Sequence, residues 1–161
     1  MQTFEAFHTI TPQLVVRGAA QAIAFYQKVF GTQELLRNLA PDGTSIMHAE
    51  LLYGDSRFFV LDEFPEHGSL SPQTLHGSPV TLHVYVPNVD EIFERALGAG
   101  AQAVLPVANT FWGERYGIFL DPFGHRWSVA TRLEDLSPTE LQERAESYAA
   151  EQSEHEGSHD Q

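Results

Sequence analysis

The segment ITPQLVV at residues 10–16 returns seventy positions later as VTLHVYV at residues 80–86. Both segments are rich in β-branched residues, which favour strands, and each is followed by a short turn and an amphipathic helical pattern. The helical patterns cover residues 19–30 and 88–99, and each ends at a glycine, as helices commonly do. This symmetry predicts a fold built from two copies of one unit.

Three strand-like runs separated by turn residues follow each helix, so each half is predicted to be a βαβββ module. The runs cover residues 33–38, 44–53 and 57–62 in the first half, and 102–107, 114–120 and 125–131 in the second. We therefore expect an α+β fold in which two βαβββ modules form a curved, eight-stranded mixed sheet around a cavity. A C-terminal helix follows the second module.

The predicted organisation has five parts. They are a first module at residues 1–63, a linker at 64–79, a second module at 80–132, a helix at 133–150 and an acidic tail at 151–161. The helix begins with a capping box, in which Ser137 is the N-cap, Pro138 the first helical residue and Glu140 the third. Its narrow apolar stripe suggests contact with the body or with a partner subunit, and the polar tail is expected to be disordered.

Composition limits the classes of partner. The chain has 161 residues, no cysteine and a formal net charge of −13. Binding to nucleic acid or to an anionic membrane needs a basic surface, so neither partner is expected. The absence of cysteine excludes disulfides, thiolate nucleophiles and sulfur-ligated zinc. No apolar run is long enough to span a membrane and no signal peptide is visible, so we expect a cytoplasmic protein.

Strand alternation predicts which side chains face a core and which face the other side of each sheet. The predicted core sets include Ile10, Leu14, Met47, Val80 and Val84. The opposite faces carry polar groups, namely Thr11, Gln13, His48, Glu50, Thr81, His83, Arg126 and Ser128. This second set forms either a solvated sheet face or one concave, partly polar surface around a cavity.

A second candidate region is the segment FWGERYG at residues 111–117, between two predicted strands. Trp112 and Tyr116 are suited to stack on a flat ligand, and Arg115 to bind a carboxylate or phosphate. The alternative is core packing, with Arg115 paired to an acid such as Asp121. The predicted ligand-binding residues are Gln13, His48, Glu50, His83, Trp112, Arg115, Tyr116 and Arg126. No catalytic residue is assigned.

The paired modules, FYQKVFG at residues 25–31 and DPFGHRW at 121–127 resemble the vicinal oxygen chelate superfamily. This group contains glyoxalase I, bleomycin-resistance proteins and extradiol dioxygenases. The strings MHAEL, VTLHVYVPNVD and FWGERYG are similar to its PhnB-like branch. Because fold does not fix activity, the resemblance implies the architecture more strongly than the reaction.

The resemblance also implies where a metal would be bound. Metal-dependent members take one ligand from the first strand of each module and a glutamate from each fourth strand. The matching positions here are Thr11, Thr81, Ser128 and the neighbourhood of residues 59–61. None holds a histidine or a carboxylate, so no cofactor is expected. A divalent metal at a displaced site of His48, Glu50 and His83 is the alternative, since two imidazoles and one carboxylate suit Fe(II), Mn(II) or Zn(II).

Three functions are consistent with these observations. The first is a metal-free protein that binds a small aromatic or anionic molecule in a sheet-lined cavity, as bleomycin-resistance relatives sequester drugs. The second is a lyase, isomerase or dioxygenase that uses the displaced metal site. The third is a regulatory or interaction protein that uses the acidic tail and the capped helix. A homodimer is expected, because modules of this family pair edge to edge within one chain or between chains.

Overall fold

The structure, a computed structural model, describes residues 7–157, with side chains described through His155. The first module contains β1 (Gln13–Val16), α1 (Ala19–Phe30), β2 (Gln33–Leu39), β3 (Ile46–Tyr53) and β4 (Ser56–Asp62). The linker forms a 3₁₀ turn (Pro65–His67) and the short helix α2 (Pro72–Leu75). The second module contains β5 (Thr81–Tyr85), α3 (Val89–Gly98), β6 (Gln102–Asn109), β7 (Glu114–Leu120) and β8 (Arg126–Arg132). The chain ends in α4 (Pro138–Gly157).

The predicted repeat is confirmed in the order of the strands. The first sheet has the order β1-β4-β3-β2 and the second sheet has the matching order β5-β8-β7-β6. In each, the first strand runs parallel to the fourth and the other pairs are antiparallel. The α+β class and the C-terminal helix are also confirmed. Within residues 7–157 of one chain, the eight strands are divided between these two sheets, and β1 and β5 are edge strands.

Helices α1 and α3 lie between the two sheets. Tyr26 and Phe30 of α1 contact Trp127 of the second sheet, with ring centroids 5.3 and 5.0 Å apart. Phe93 of α3 contacts Phe119 of the same sheet. The helix-facing sides of both modules therefore share one apolar core. The opposite side of each sheet, called its open face below, carries no helix from the same module.

A buried carboxylate joins the two modules. Asp121, in the turn before β8, is only 3% exposed. It accepts hydrogen bonds from the Tyr26 hydroxyl at 2.6 Å, from Trp127 Nε1 at 2.9 Å, and from the backbone amides of Phe123 and His125 at 2.9 Å. Burial and the neighbouring Asp121 charge raise the pKa of Tyr26 well above its usual value, so Tyr26 remains a donor. The first helix is thereby fixed to the second module.

Three residues predicted for the core are exposed instead. Ile10 and Val80 precede the strands, which begin at Gln13 and Thr81, so strand alternation does not apply to them. Met47 is exposed because the register shifts within β3. Asn38 pairs with His48 and Leu39 with Ile46, which leaves Met47 as an extra residue and puts Ile46 into the core.

The predicted capping box of α4 is present. Ser137 Oγ accepts from the Glu140 amide at 3.2 Å, and the Glu140 carboxylate accepts from the Ser137 amide at 2.8 Å. The helix continues to Gly157, so its predicted end at residue 150 is too early, and residues 151–157 are helical rather than disordered. Residues 158–161 lie outside the described part. No helix in residues 7–157 is both long enough and apolar enough to cross a membrane.

Candidate functional site

His83 is anchored on the open face of the second sheet. His83 of β5 pairs in register with Ser128 of β8, and its Nδ1 lies 2.6 Å from Ser128 Oγ. Ser128 is only 3% exposed, so this hydrogen bond lies beneath the imidazole. Such a bond fixes the ring orientation and leaves Nε2 for a ligand. The parallel pairing of β5 with β8 therefore holds the His83 imidazole in one orientation on this face.

Three aromatic side chains surround this imidazole. The His83 ring stacks on Tyr116 at 6.0 Å and meets Tyr85 edge-on at 4.8 Å. Trp112, at the tip of the β6–β7 hairpin, contacts Tyr116 at 5.5 Å. We call His83, Tyr85, Trp112 and Tyr116 the aromatic cluster. Its rings come from two strands and one hairpin, and Tyr85 is 56% exposed, so part of the cluster is accessible from solvent.

Glu114 holds two members of this cluster in place. Its carboxylate accepts from Trp112 Nε1 at 2.8 Å. Burial and a hydrogen bond to Glu114 raise the pKa of the Tyr85 hydroxyl. Neither Glu114 nor Tyr85 was among the predicted site residues. The signal was present, since each lies two residues from a predicted member, Tyr116 or His83, and so shares its face.

The open face of the first sheet carries a separate polar group. His48 Nε2 lies 3.4 Å from Glu50 Oε1, and Arg57 Nη1 lies 3.3 Å from Glu50 Oε2. The His48 ring packs edge-on against Phe59 at 4.6 Å. Gln13 of β1 pairs in register with Phe59, which places it on the same face. One carboxylate thus lies between two side chains that can carry positive charge.

Arg115 does not belong to either open face. It alternates with Glu114 and Tyr116 along β7 and so points toward α3. Its Nε and Nη2 donate to the Asp90 carboxylate at 2.7 and 2.8 Å. Hydrogen bonds from Arg115 lower the pKa of Asp90. The predicted role of Arg115 in ligand binding stays a prediction that this position does not support, and its acidic partner is Asp90 rather than Asp121.

Arg126 remains a candidate. It lies two residues before Ser128 in β8, so it occupies the same open face as His83. Within the described part of the chain it has no ion-pair partner. A guanidinium without a carboxylate partner is suited to bind an anionic ligand group.

The described histidine and carboxylate side chains of one chain are not arranged to bind a metal ion. Across the side chains of residues 7–155, no three histidine, aspartate or glutamate side chains are grouped as metal ligands require. The displaced triad is therefore not assembled, because His48 and Glu50 lie on the first sheet and His83 on the second. At the position implied by the family resemblance, Ser128 hydrogen-bonds His83 instead.

A cavity of about 440 Å³ lies beside the edge strand β5. Its apolar walls include Phe30, Phe58 and Trp127, which come from both modules. Its rim includes His8 and Arg57, and it also borders Leu82, His83, Val84 and Tyr85 of β5. The cavity therefore adjoins the aromatic cluster but lies at the junction between the modules rather than on an open face.

Residues 6–129 match the family model described as the Glyoxalase/Bleomycin resistance protein/Dioxygenase superfamily. An uncharacterized protein of Mycobacterium tuberculosis is 41% identical over 136 residues, covering 83% of this chain and 79% of that protein. The crystal structure of TioX from Micromonospora sp. ML1 is 29% identical with a TM-score of 0.61, covering 79% of this chain and 100% of that one. The PhnB protein from Bacillus cereus is 17% identical with a TM-score of 0.60, covering 77% and 99%, and shares the fold.

Proposed function

The chain belongs to the glyoxalase/bleomycin resistance protein/dioxygenase superfamily, and from that premise we propose that it binds a small aromatic or anionic molecule without the usual metal. The observation that carries this proposal is the aromatic cluster, whose imidazole is held by Ser128 and whose outer rings are held by Glu114. Rings fixed in this way lose little conformational freedom on binding.

The cluster suits a flat ligand with a polar handle. Trp112 and Tyr116 supply ring surface, and His83 Nε2 supplies a hydrogen bond to a carboxylate or similar group. Arg126 supplies positive charge on the same face. An aromatic contact contributes about 0.5–1.5 kcal/mol beyond area burial, and a hydrogen bond to a charged group about 1.5–3 kcal/mol. Together these contacts are large enough for specific binding of a small aromatic acid.

The test is a titration of intrinsic tryptophan fluorescence with a panel of aromatic carboxylic acids. Trp112 is the reporter, since Trp127 is buried in the core between the modules. Saturable quenching that disappears in Trp112→Phe supports binding at the cluster. Quenching that persists in Trp112→Phe would place the ligand elsewhere.

We propose that the site is completed by a second copy of the chain. Both helix-facing sides share one core, so the two open faces of a single chain point away from each other. A cavity enclosed by two sheets therefore needs the first sheet of one protomer to face the second sheet of its partner. Sedimentation velocity at micromolar concentration is expected to show a dimer. A monomer at high micromolar concentration would contradict this arrangement.

The second candidate function is a metal-dependent reaction of the same superfamily. It is favoured by the two imidazoles and one carboxylate on the open faces, His48, Glu50 and His83. In the proposed dimer, His48 and Glu50 of one protomer would share a cavity with the partner's His83. This site would be built from two chains and would keep a position open for substrate.

Metal content separates the two candidates. We expect purified protein to hold well below one equivalent of Ni, Zn, Mn or Fe, because Ser128 and the threonines at the family's ligand positions are poor ligands for these ions. The measurement is elemental analysis by mass spectrometry of protein purified without chelators. One equivalent of metal that is lost in His83→Ala would favour the enzyme.

A further inference from the structure

The free edge of β1 is occupied by a side chain of the second module. Glu63 N donates to Val16 O at 2.9 Å, so the backbone groups of Val15, the residue before, point away from β4. His125 Nε2 lies 2.9 Å from the Val15 carbonyl oxygen. Because a carbonyl oxygen can only accept, the imidazole donates an N–H to it. A flat ring with an N–H group thus satisfies this edge.

The equivalent carbonyl on the free edge of β5 belongs to Tyr85. Tyr85 lies seventy positions after Val15 in the repeated segment. Val86 N donates to Ala130 O at 2.8 Å, so the backbone groups of Tyr85, the residue before, point away from β8. A carbonyl at a sheet edge needs a donor from a side chain, water or a ligand. Within residues 7–155, no side chain supplies one to Tyr85.

The position that holds His125 beside β1 holds a serine beside β5. The registers of the two parallel strand pairs align β4 with β8 and place Ser56 at the position of His125. Ser56 Oγ donates to Asp55 Oδ1 at 2.7 Å, so the hydroxyl is turned to its neighbour in the chain. A serine fills much less space than a histidine, and the cavity of about 440 Å³ is bordered by both Ser56 and Tyr85.

This cavity follows the free edge of β5 from the core to the open face. Four consecutive residues of the strand, 82–85, border it. Alternate side chains point to opposite sides of a sheet, so a cavity that borders all four extends past the edge of the strand. Its inner walls are the buried rings of Phe30, Phe58 and Trp127. Its outer end reaches the aromatic cluster at His83, which makes the two regions continuous.

The charged side chains at the rim of the cavity already have partners. Arg57 Nη1 lies 3.3 Å from Glu50 Oε2, and His8 Nε2 lies 2.7 Å from the Asp55 carbonyl oxygen. The Asp55 carboxylate accepts from Ser56 Oγ. Burying a further charge between apolar walls is costly without a partner. The inner part of the cavity therefore favours an uncharged group that can donate to a backbone carbonyl.

We propose that this cavity is the inner part of the ligand site and binds an uncharged flat ring with an N–H group, which donates to the Tyr85 carbonyl as His125 donates to Val15. The ring lies against Phe58 and Trp127, and an acid group on the same ligand reaches the aromatic cluster around the edge of β5. The ligand class is thereby narrowed to acids that carry a pyrrole-type or indole-type ring. The inference rests on the proposed function for the acid group alone.

Neutral indole tests the inner part of the site by itself. Its dissociation constant is measured by ligand-observed NMR titration and compared with that of benzofuran, in which an oxygen replaces the N–H and the shape is nearly the same. We expect indole to bind at least fivefold more tightly, because benzofuran cannot donate to the Tyr85 carbonyl. Equal affinities, or no saturable binding of indole up to its solubility limit, would overturn the proposal.

A substitution at Ser56 locates the binding of indole. Ser56 is exposed and its hydroxyl bonds only to Asp55, so Ser56→His is expected to preserve the fold. The added imidazole would take the place that His125 takes beside β1, and indole affinity is expected to fall at least tenfold. Ser153→His, on the distant part of α4, is the control and is expected to stay within twofold of wild type. Wild-type indole affinity in Ser56→His would contradict the assignment.

The inner and outer parts of the ligand site are tested separately, because indole has no acid group and needs neither His83 nor Arg126. Failure of the aromatic acids to quench Trp112, with indole still preferred over benzofuran, would contradict the proposed function and leave the cavity as a binding site. Quenching by the acids without any preference for indole would contradict only the inference about the cavity.

Discussion

Replacing Asp121 by alanine is expected to lower the free energy of unfolding by about 3 kcal/mol or more. Four donors converge on this buried carboxylate, and alanine leaves the Tyr26 hydroxyl and the Trp127 indole N–H without an acceptor. Each buried polar group left unpaired costs about 1–3 kcal/mol. The measurement is equilibrium unfolding in urea, followed by circular dichroism.

Two companion variants show whether the loss comes from this network. Tyr26→Phe removes one donor and keeps the ring packing, so it is expected to cost about 1–2 kcal/mol. Asp135→Ala removes an exposed carboxylate paired with Arg132 and is expected to change stability by less than about 0.5 kcal/mol. An Asp121→Ala protein as stable as Asp135→Ala would show that Asp121 does not link the modules.

The second large effect concerns Trp112. Trp112→Ala removes the ring at the edge of the aromatic cluster and frees the Glu114 carboxylate from its 2.8 Å hydrogen bond. Affinity for an aromatic acid is expected to fall at least tenfold, because stacking surface is lost and Glu114 places an uncompensated negative charge near the anion. Isothermal titration calorimetry measures this, since the fluorescent reporter is absent from the variant.

The matched control for this experiment is Tyr148→Ala. The Tyr148 ring lies on α4 and packs on Phe111 of the hairpin, and no ring contact joins it to Trp112 among the described residues. Its loss is expected to leave ligand affinity within about twofold of wild type. Equal losses in both variants would mean that the hairpin acts through its conformation rather than through the Trp112 ring.

Much of the fold was predictable because the sequence contains the βαβββ module twice. The seventy-residue offset located both modules, and the boundaries of α1 and β7 agree with the prediction. Alternation also placed His83 and Ser128 on one face, where they form a hydrogen bond. These features depend on local periodicity, which is visible in a single sequence.

Other features depend on contacts between distant segments. Alternation assigned Met47 to the core, but the register shift in β3 exposed it. Arg115 lies on the face of β7 opposite to that of Tyr116, but the prediction gave both a ligand role because of the aromatic-basic composition of the segment. The bond between Tyr26 and Asp121 spans 95 residues, and no pattern within either module indicates it. Helix α2 was missed although its Ser71-Pro72 start matches the recognised start of α4.

The central claim is that a ligand binds on the open face of the second sheet, in contact with His83. The most direct measurement is the dissociation constant, by isothermal titration calorimetry, of an aromatic acid that quenches Trp112. His83→Ala is compared with Arg115→Gln, which alters the opposite face of β7 in the same sheet. The account predicts a loss of at least tenfold for His83→Ala and less than twofold for Arg115→Gln. Wild-type affinity in His83→Ala would contradict it.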